Sequence, residues 1–121
     1  MRILIIDDEA PVAEMLADAV ADQGHESGVA HRGLDGLARI MEYPPDAVFL
    51  DIALPDIDGV EVLRRMRRAY PALPVVLVTG RGRPDQIAEA VRLGVTDVLT
   101  KPFLLTRLSE ALTGSTPGIP S

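Results

Sequence analysis

At 121 residues the chain is one domain long, and 12 Lys and Arg against 18 Asp and Glu give a formal charge of -6 whose field repels nucleic acid. The absence of cysteine excludes a disulfide framework, thiolate metal sites and a thiol nucleophile, and the few aromatics (two Tyr, two Phe) exclude a base-stacking surface. No apolar run approaches a membrane span, and Met1-Arg2 leads straight into strand-like residues without the layout of a signal peptide, so a cytoplasmic protein with no membrane contact and no direct nucleic-acid binding is expected.

The first element is Ile3-Leu4-Ile5-Ile6, a continuous apolar run of the kind found in strands covered on both faces. Val12, Met15, Leu16, Ala19 and Val20 then recur at helical spacing, with Pro11 in the first turn and Gly24 at the stop. A weaker strand is expected near Glu26 to Ala30, followed by a helical stripe of Leu34, Leu37, Ala38 and Met41. Ala47-Val48-Phe49-Leu50 reads as a strand. Asp58 with Glu61 has the spacing of a capping box, so a helix should begin about Gly59 and carry Val60, Leu63, Met66 and Tyr70 on its apolar face. Val75-Val76-Leu77-Val78 is the next strand. Pro84 opens a helix marked by Ile87 and Val91, Gly94 closes it, and Val98-Leu99 supplies a last strand. Leu105, Leu108 and Leu112 predict a fifth helix, which places the domain at residues 1–113 and leaves 114–121, rich in Gly, Pro and Ser, as a flexible tail or linker stub.

Strict alternation of strand and helix predicts an α/β domain, a doubly wound parallel sheet of five strands with right-handed crossovers. Ligands of such sheets bind beyond the carboxyl ends of the strands. Those ends are Asp7-Asp8, Asp51, Thr79 and Lys101, so three carboxylates, a hydroxyl and an ammonium converge on one edge. Crowded carboxylates call for a cation, and hard oxygen ligands that leave room for water and phosphate suit Mg²⁺. With Lys101 and Thr79 on the other side, the set fits a phosphoryl group, and an Asp carboxylate can act as its nucleophile.

The segments Ile5-Ile6-Asp7-Asp8-Glu9, Leu50-Asp51-Ile52-Ala53-Leu54-Pro55-Asp56-Ile57-Asp58-Gly59, Val78-Thr79-Gly80 and Thr100-Lys101-Pro102-Phe103 together resemble the receiver domain of two-component response regulators, over residues 2 to 113. The resemblance implies a flavodoxin-like (βα)5 fold with strand order 2-1-3-4-5. It makes Asp51 the phosphoacceptor, Asp8 a direct ligand of Mg²⁺, Asp7 a ligand acting mainly through metal-bound water, and the Ala53 carbonyl a further ligand. Thr79 would hydrogen-bond one phosphoryl oxygen and Lys101 would pair with another. It further implies a cis bond between Lys101 and Pro102, a sensor histidine kinase or phosphotransfer protein as donor, and an output domain or downstream protein as target. A homodimer through the fourth and fifth helices is a family habit. Such a domain assists its own phosphorylation and dephosphorylation without being a turnover enzyme. The chain departs from many receivers at Val98, where they carry Tyr or Phe three residues before the lysine. Gly80, small as in the family, leaves room for the phosphoryl group.

Competing readings are weaker. Asp7 and Asp8 could cap the first helix, and Asp51 could be a solvated loop residue, but neither explains their placement with Lys101. The run Arg64-Arg65-Met66-Arg67-Arg68 reads as a solvated face that complements a helix C-terminus, while Arg81 and Arg83 could meet incoming phosphate or a partner. His25 and His31 have no metal-ligand spacing. A calcium loop around Asp56 and Asp58 fails because its first position would be Leu54 and its twelfth Arg65. A dehalogenase-type phosphatase needs a second Asp where Ala53 stands. The alternative of another class is a non-phosphorylated interaction module that keeps the fold for docking.

Overall fold

The structure, a computed structural model, describes residues 1–101. Strand β1 (Arg2–Ile6) is followed by α1 (Ala10–Asp22), β2 (Glu26–Ala30), α2 (Gly33–Glu42), β3 (Ala47–Asp51), α3 (Gly59–Ala69), β4 (Val75–Thr79), α4 (Pro84–Arg92) and β5 (Asp97–Thr100). All strand pairs are parallel and the order is β2-β1-β3-β4-β5, as expected. The expected fifth helix, the Lys101-Pro102 bond and the segment 114–121 lie outside the described residues.

Alternate residues of each central strand enter separate apolar layers, which is why the strands read as unbroken apolar runs. Leu4, Ile6, Val48, Leu50, Val75 and Leu77 pack with Leu37 and Ile40 of α2, Val62, Leu63 and Met66 of α3, and Ala90 of α4. Ile3, Ile5, Phe49, Val76, Val78 and Leu99 pack on the other face with Ala13, Leu16 and Val20 of α1. Burial of a side chain of this size contributes about 1.5–3 kcal/mol, so the two layers dominate the fold's cohesion.

Helix punctuation agrees with the sequence. Pro11 and Pro84 occupy the first turns of α1 and α4. Gly24 and Gly94, at φ 84° and 81°, take the left-handed conformation that ends α1 and α4. Helix α3 begins at Gly59, and the Asp58 carboxylate accepts the Val60 N–H at 2.8 Å. The capping box is only half made, because Glu61 turns forward to Arg64 and Arg65, at 2.9 Å from each, where two guanidinium groups offer a stronger partner than one backbone N–H. Gly59 is required by close approach: a Cβ there would lie 2.5 Å from Ile52 Cα and 2.8 Å from the Asp51 carbonyl oxygen.

The run of arginines is not a uniformly solvated face. Arg67 is half-buried and donates to the carbonyls of Leu93 at 2.7 Å, Leu73 at 2.6 Å and Gly94 at 2.9 Å. The five N–H donors of its planar fork let one side chain satisfy the ends of two connections, which no helical-wheel pattern announces.

Candidate functional site

Parallel pairing brings the carboxyl ends of β1, β3, β4 and β5 to one edge, since Ile6 is in register with Leu50, Asp51 with Val78, and Thr79 with Thr100. Lys101 follows β5 directly, and its N–H donates to the Thr79 carbonyl at 2.7 Å, which aims the side chain across the edge. The ammonium Nζ lies 2.9 Å from Asp7 Oδ2, 3.2 Å from Asp51 Oδ2 and 2.9 Å from Glu9 Oε1. Residues far apart in the chain thus meet around one cation, as the sequence reading placed Asp7, Asp51 and Lys101.

The sequence motif assigns Glu9 no role, whereas the structure makes it a full member of the acidic cluster. Ligand atoms of Asp7, Asp8, Glu9 and Asp51 all lie within 4.8 Å of one another. Asp7 Oδ1 accepts the Glu9 N–H at 2.9 Å, so this carboxylate shapes the turn before α1 as well as facing the site. Its other oxygen faces Lys101 as an ion pair outside hydrogen-bond geometry, and Asp8 Oδ1 is buried with no hydrogen-bond donor among the described residues. Buried carboxylate oxygens left without donors are costly, and a hard cation is what such a donor set accommodates.

Arg81 partly answers that need. A single guanidinium nitrogen, Nη2, lies 3.6 Å from Asp8 Oδ1, 3.9 Å from Glu9 Oε1 and 3.4 Å from the Ala53 carbonyl oxygen. Among the described residues, four carboxylates against the two charges of Lys101 and Arg81 leave an excess of two negative charges, which matches a divalent ion.

Asp51 is 1% exposed. Burial pushes its carboxyl up to about 6 from the ordinary 3.8, the charge of Asp7 adds to the rise, and the Ala53 N–H and Lys101 only partly offset it. Burial by itself would depress the Lys101 ammonium, but the carboxylates of Glu9, Asp7 and Asp51 reverse this and hold it above the ordinary lysine value. The hydrogen bond from Lys101 holds Glu9 below the usual carboxylate range.

Thr79, 4% exposed, turns its hydroxyl oxygen toward the Gly82 N–H at 2.9 Å. A Cβ at Gly82 would fall on Thr79 Oγ1 and 2.6 Å from Ile52 Cγ2, so glycine is what lets this loop close over the hydroxyl, a requirement not drawn from the sequence. At Gly80 the space a Cβ would take is bounded by Lys101 Cβ at 3.1 Å, so this small residue clears the lysine side chain. Val98 is partly buried and packs against the layer that contains Leu77 and Ala90.

The profile of the response regulator receiver domain matches residues 3–113. The chain belongs to that family. Receiver relatives include the regulatory protein AtoC of Escherichia coli, 40% identical over 108 residues that make up 89% of this chain and 23% of AtoC. The phosphate regulon transcriptional regulatory protein PhoB of Pseudomonas aeruginosa is 36% identical over 96% of this chain and 53% of its own. The chain therefore spans about a quarter to a half of the length of these relatives. Among solved structures, a CheY-like receiver domain from Methanospirillum hungatei superimposes with a TM-score of 0.89 at 26% identity, covering 93% of this chain and 90% of that one. The receiver domain of NtrX from Brucella abortus gives 0.82 at 36% identity over 92% and 98%.

Proposed function

We propose that this receiver accepts a phosphoryl group on Asp51 in a Mg²⁺-dependent reaction, from a sensor histidine kinase or phosphotransfer protein in the cytoplasm, and controls an output domain or downstream protein. Residues 1–113 would form the receiver and 114–121 a linker. The observation that carries this reading is the convergence of Lys101 Nζ on Asp7, Glu9 and Asp51 at 2.9–3.2 Å, beside a buried Asp8 oxygen that has no hydrogen-bond donor among the described residues. Asp8, Asp51 and the Ala53 carbonyl would hold the ion directly, with Asp7 and Glu9 at its flank. When bound, the ion supplies positive charge to the equatorial phosphoryl oxygens and to the Asp51 carboxylate.

The chain's own groups do the rest. The Ala53 N–H, 3.0 Å from Asp51 Oδ1, fixes the plane of the nucleophilic carboxylate. A carboxylate oxygen of Asp51 attacks phosphorus in line, the bond to the donor's leaving atom breaks, and Lys101 neutralises an equatorial oxygen. The Thr79 hydroxyl accepts from Gly82 through a lone pair, so its single proton stays available for another phosphoryl oxygen. Attack by water on the acyl phosphate then releases inorganic phosphate and the free Asp51 carboxylate, which returns the switch to its starting state.

Phosphorylation adds about -1.5 to -2 charge where Lys101 and Arg81 already stand, and the new contacts would bias the loop after Thr79 together with α4 and β5. Incubation with acetyl phosphate and Mg²⁺, followed by intact mass measurement, should show one acid-labile phosphoryl group on the wild type and none on Asp51→Asn. Equal uptake by the variant, or none by either protein, overturns the assignment.

A further inference from the structure

Helix α2 has no cap of its own, because Arg32 at its N-cap position makes no side-chain hydrogen bond to it. The cap comes from the loop between β3 and α3. Asp56 Oδ1 accepts the Gly33 N–H and Oδ2 the Leu34 N–H, each at 2.9 Å, so one carboxylate satisfies two of the orphan donors of a helix 22–23 residues earlier in the chain. Slight desolvation works against the charged form of Asp56, yet these N–H donors hold it below the ordinary carboxylate range.

Beneath this bidentate cap the two segments touch without slack. A Cβ on Gly33 would overlap Ile57 and come within 2.9 Å of Val62 and 3.1 Å of Leu54. Leu54 and Ile57 are themselves partly buried against the core layer that contains α2. The loop is thus tied to β3 at one end, to α3 at the other, and to α2 in between.

That loop carries Ala53, whose N–H holds Asp51 Oδ1 and whose carbonyl oxygen already faces a cation, Arg81. We propose that Asp56 is a positioning residue for the phosphoacceptor site: by capping α2 from the loop, it holds Ala53 where its N–H orients Asp51 and its carbonyl serves the metal. Its functional meaning rests on the phosphoacceptor reading of Asp51. A backbone carbonyl has no rotamer with which to correct its own position, and Mg²⁺ demands near-octahedral geometry, so loop play is felt directly at the ion. Without the cap, the α2 donors must find water, and the segment from Ala53 to Ile57 gains freedom.

The test compares wild type, Asp56→Ala, Asp56→Asn and Asp35→Asn. Asp35 lies in the same first turn of α2 and removes the same charge without touching the loop's cap. Hydrogen exchange of the Ala53 amide, measured by NMR without metal, should speed up about tenfold in Asp56→Ala, a fraction of the two charge-assisted bonds lost from the cap passing to the loop. Asp56→Asn, whose amide oxygen can accept only in part, should fall between. Calorimetric titration with Mg²⁺ should show about tenfold weaker binding in Asp56→Ala, the usual cost of losing a partner that orients a ligand. Asp35→Asn should stay within about twofold of wild type.

An unchanged Ala53 amide overturns the proposal, as does faster exchange with unchanged Mg²⁺ affinity, which would leave a helix cap and no more. Equal weakening by Asp35→Asn also overturns it in favour of bulk charge. If exchange and Mg²⁺ affinity shift as expected while acetyl phosphate leaves the wild type unmodified, the phosphoacceptor reading fails and the positioning of the metal-ligating loop stands.

Discussion

Replacing Asp51 by Asn should stabilise the metal-free protein. The native carboxyl titrates at about 6 against 3.8 in the ordinary state, because burial and Asp7 disfavour the charge. At about 1.36 kcal/mol per pH unit, ionising Asp51 in the folded chain costs about 3 kcal/mol relative to the unfolded chain. The folded state binds the extra proton between these two values. The cost is therefore absent below pH 4, grows as the pH rises from about 4 to 6, and is fully developed above 6. Asn removes the charge while keeping an oxygen for the Ala53 N–H, and Lys101 keeps Asp7 and Glu9 at 2.9 Å, so the ammonium is not stranded. The amide's own NH₂ meets that ammonium unfavourably, so about 2 of the 3 kcal/mol should appear, or roughly 8 °C in melting temperature for a domain of this size. The assay is urea unfolding at pH 7.5 and at pH 4 in the presence of EDTA. An Asn variant no more stable than wild type at pH 7.5 would refute the reasoning. So would a gap that persists at pH 4, since that would locate the gain in packing. Added Mg²⁺ should narrow the gap at pH 7.5 by binding the wild type more tightly.

Lys101→Ala leaves the Asp7 and Asp51 carboxylates buried without their cation and should cost about 3–5 kcal/mol in urea unfolding at pH 7.5, with partial recovery in Mg²⁺. Arg81→Ala frees Asp8, Glu9 and the Ala53 carbonyl from a competing cation, so calorimetry should show Mg²⁺ binding about three- to tenfold tighter, while Arg83→Ala, whose ion pair is with Asp85, should change it little. Arg67→Ala strips donors from the carbonyls of Leu73, Leu93 and Gly94 and should destabilise by about 2–3 kcal/mol with Mg²⁺ affinity unchanged. A fall in affinity there would show that the α3 and α4 ends are coupled to the acidic edge.

The alternation of apolar runs with helical stripes determined the element order. Pro11, Gly24, Pro84 and Gly94 set helix limits because proline and glycine restrict or permit backbone angles locally, whatever surrounds them. The meeting of Asp7, Asp8, Asp51 and Lys101 at one edge was legible for a related reason: parallel strands place their carboxyl ends together, so position along the strand predicts position in space. Roles that depend on where a long side chain reaches were not legible. Glu9 joins the Lys101 ammonium, Arg81 lies among the ligand oxygens, Arg67 fastens distant carbonyls, and Asp56 caps a helix 22–23 residues back. In sequence Glu9, Arg67 and Asp56 look like surface charges and Arg81 reads equally as a surface charge or a phosphate or partner contact, because charge and periodicity describe a residue's neighbours along the chain, whereas these four act on groups that only tertiary packing brings within hydrogen-bond or ion-pair distance.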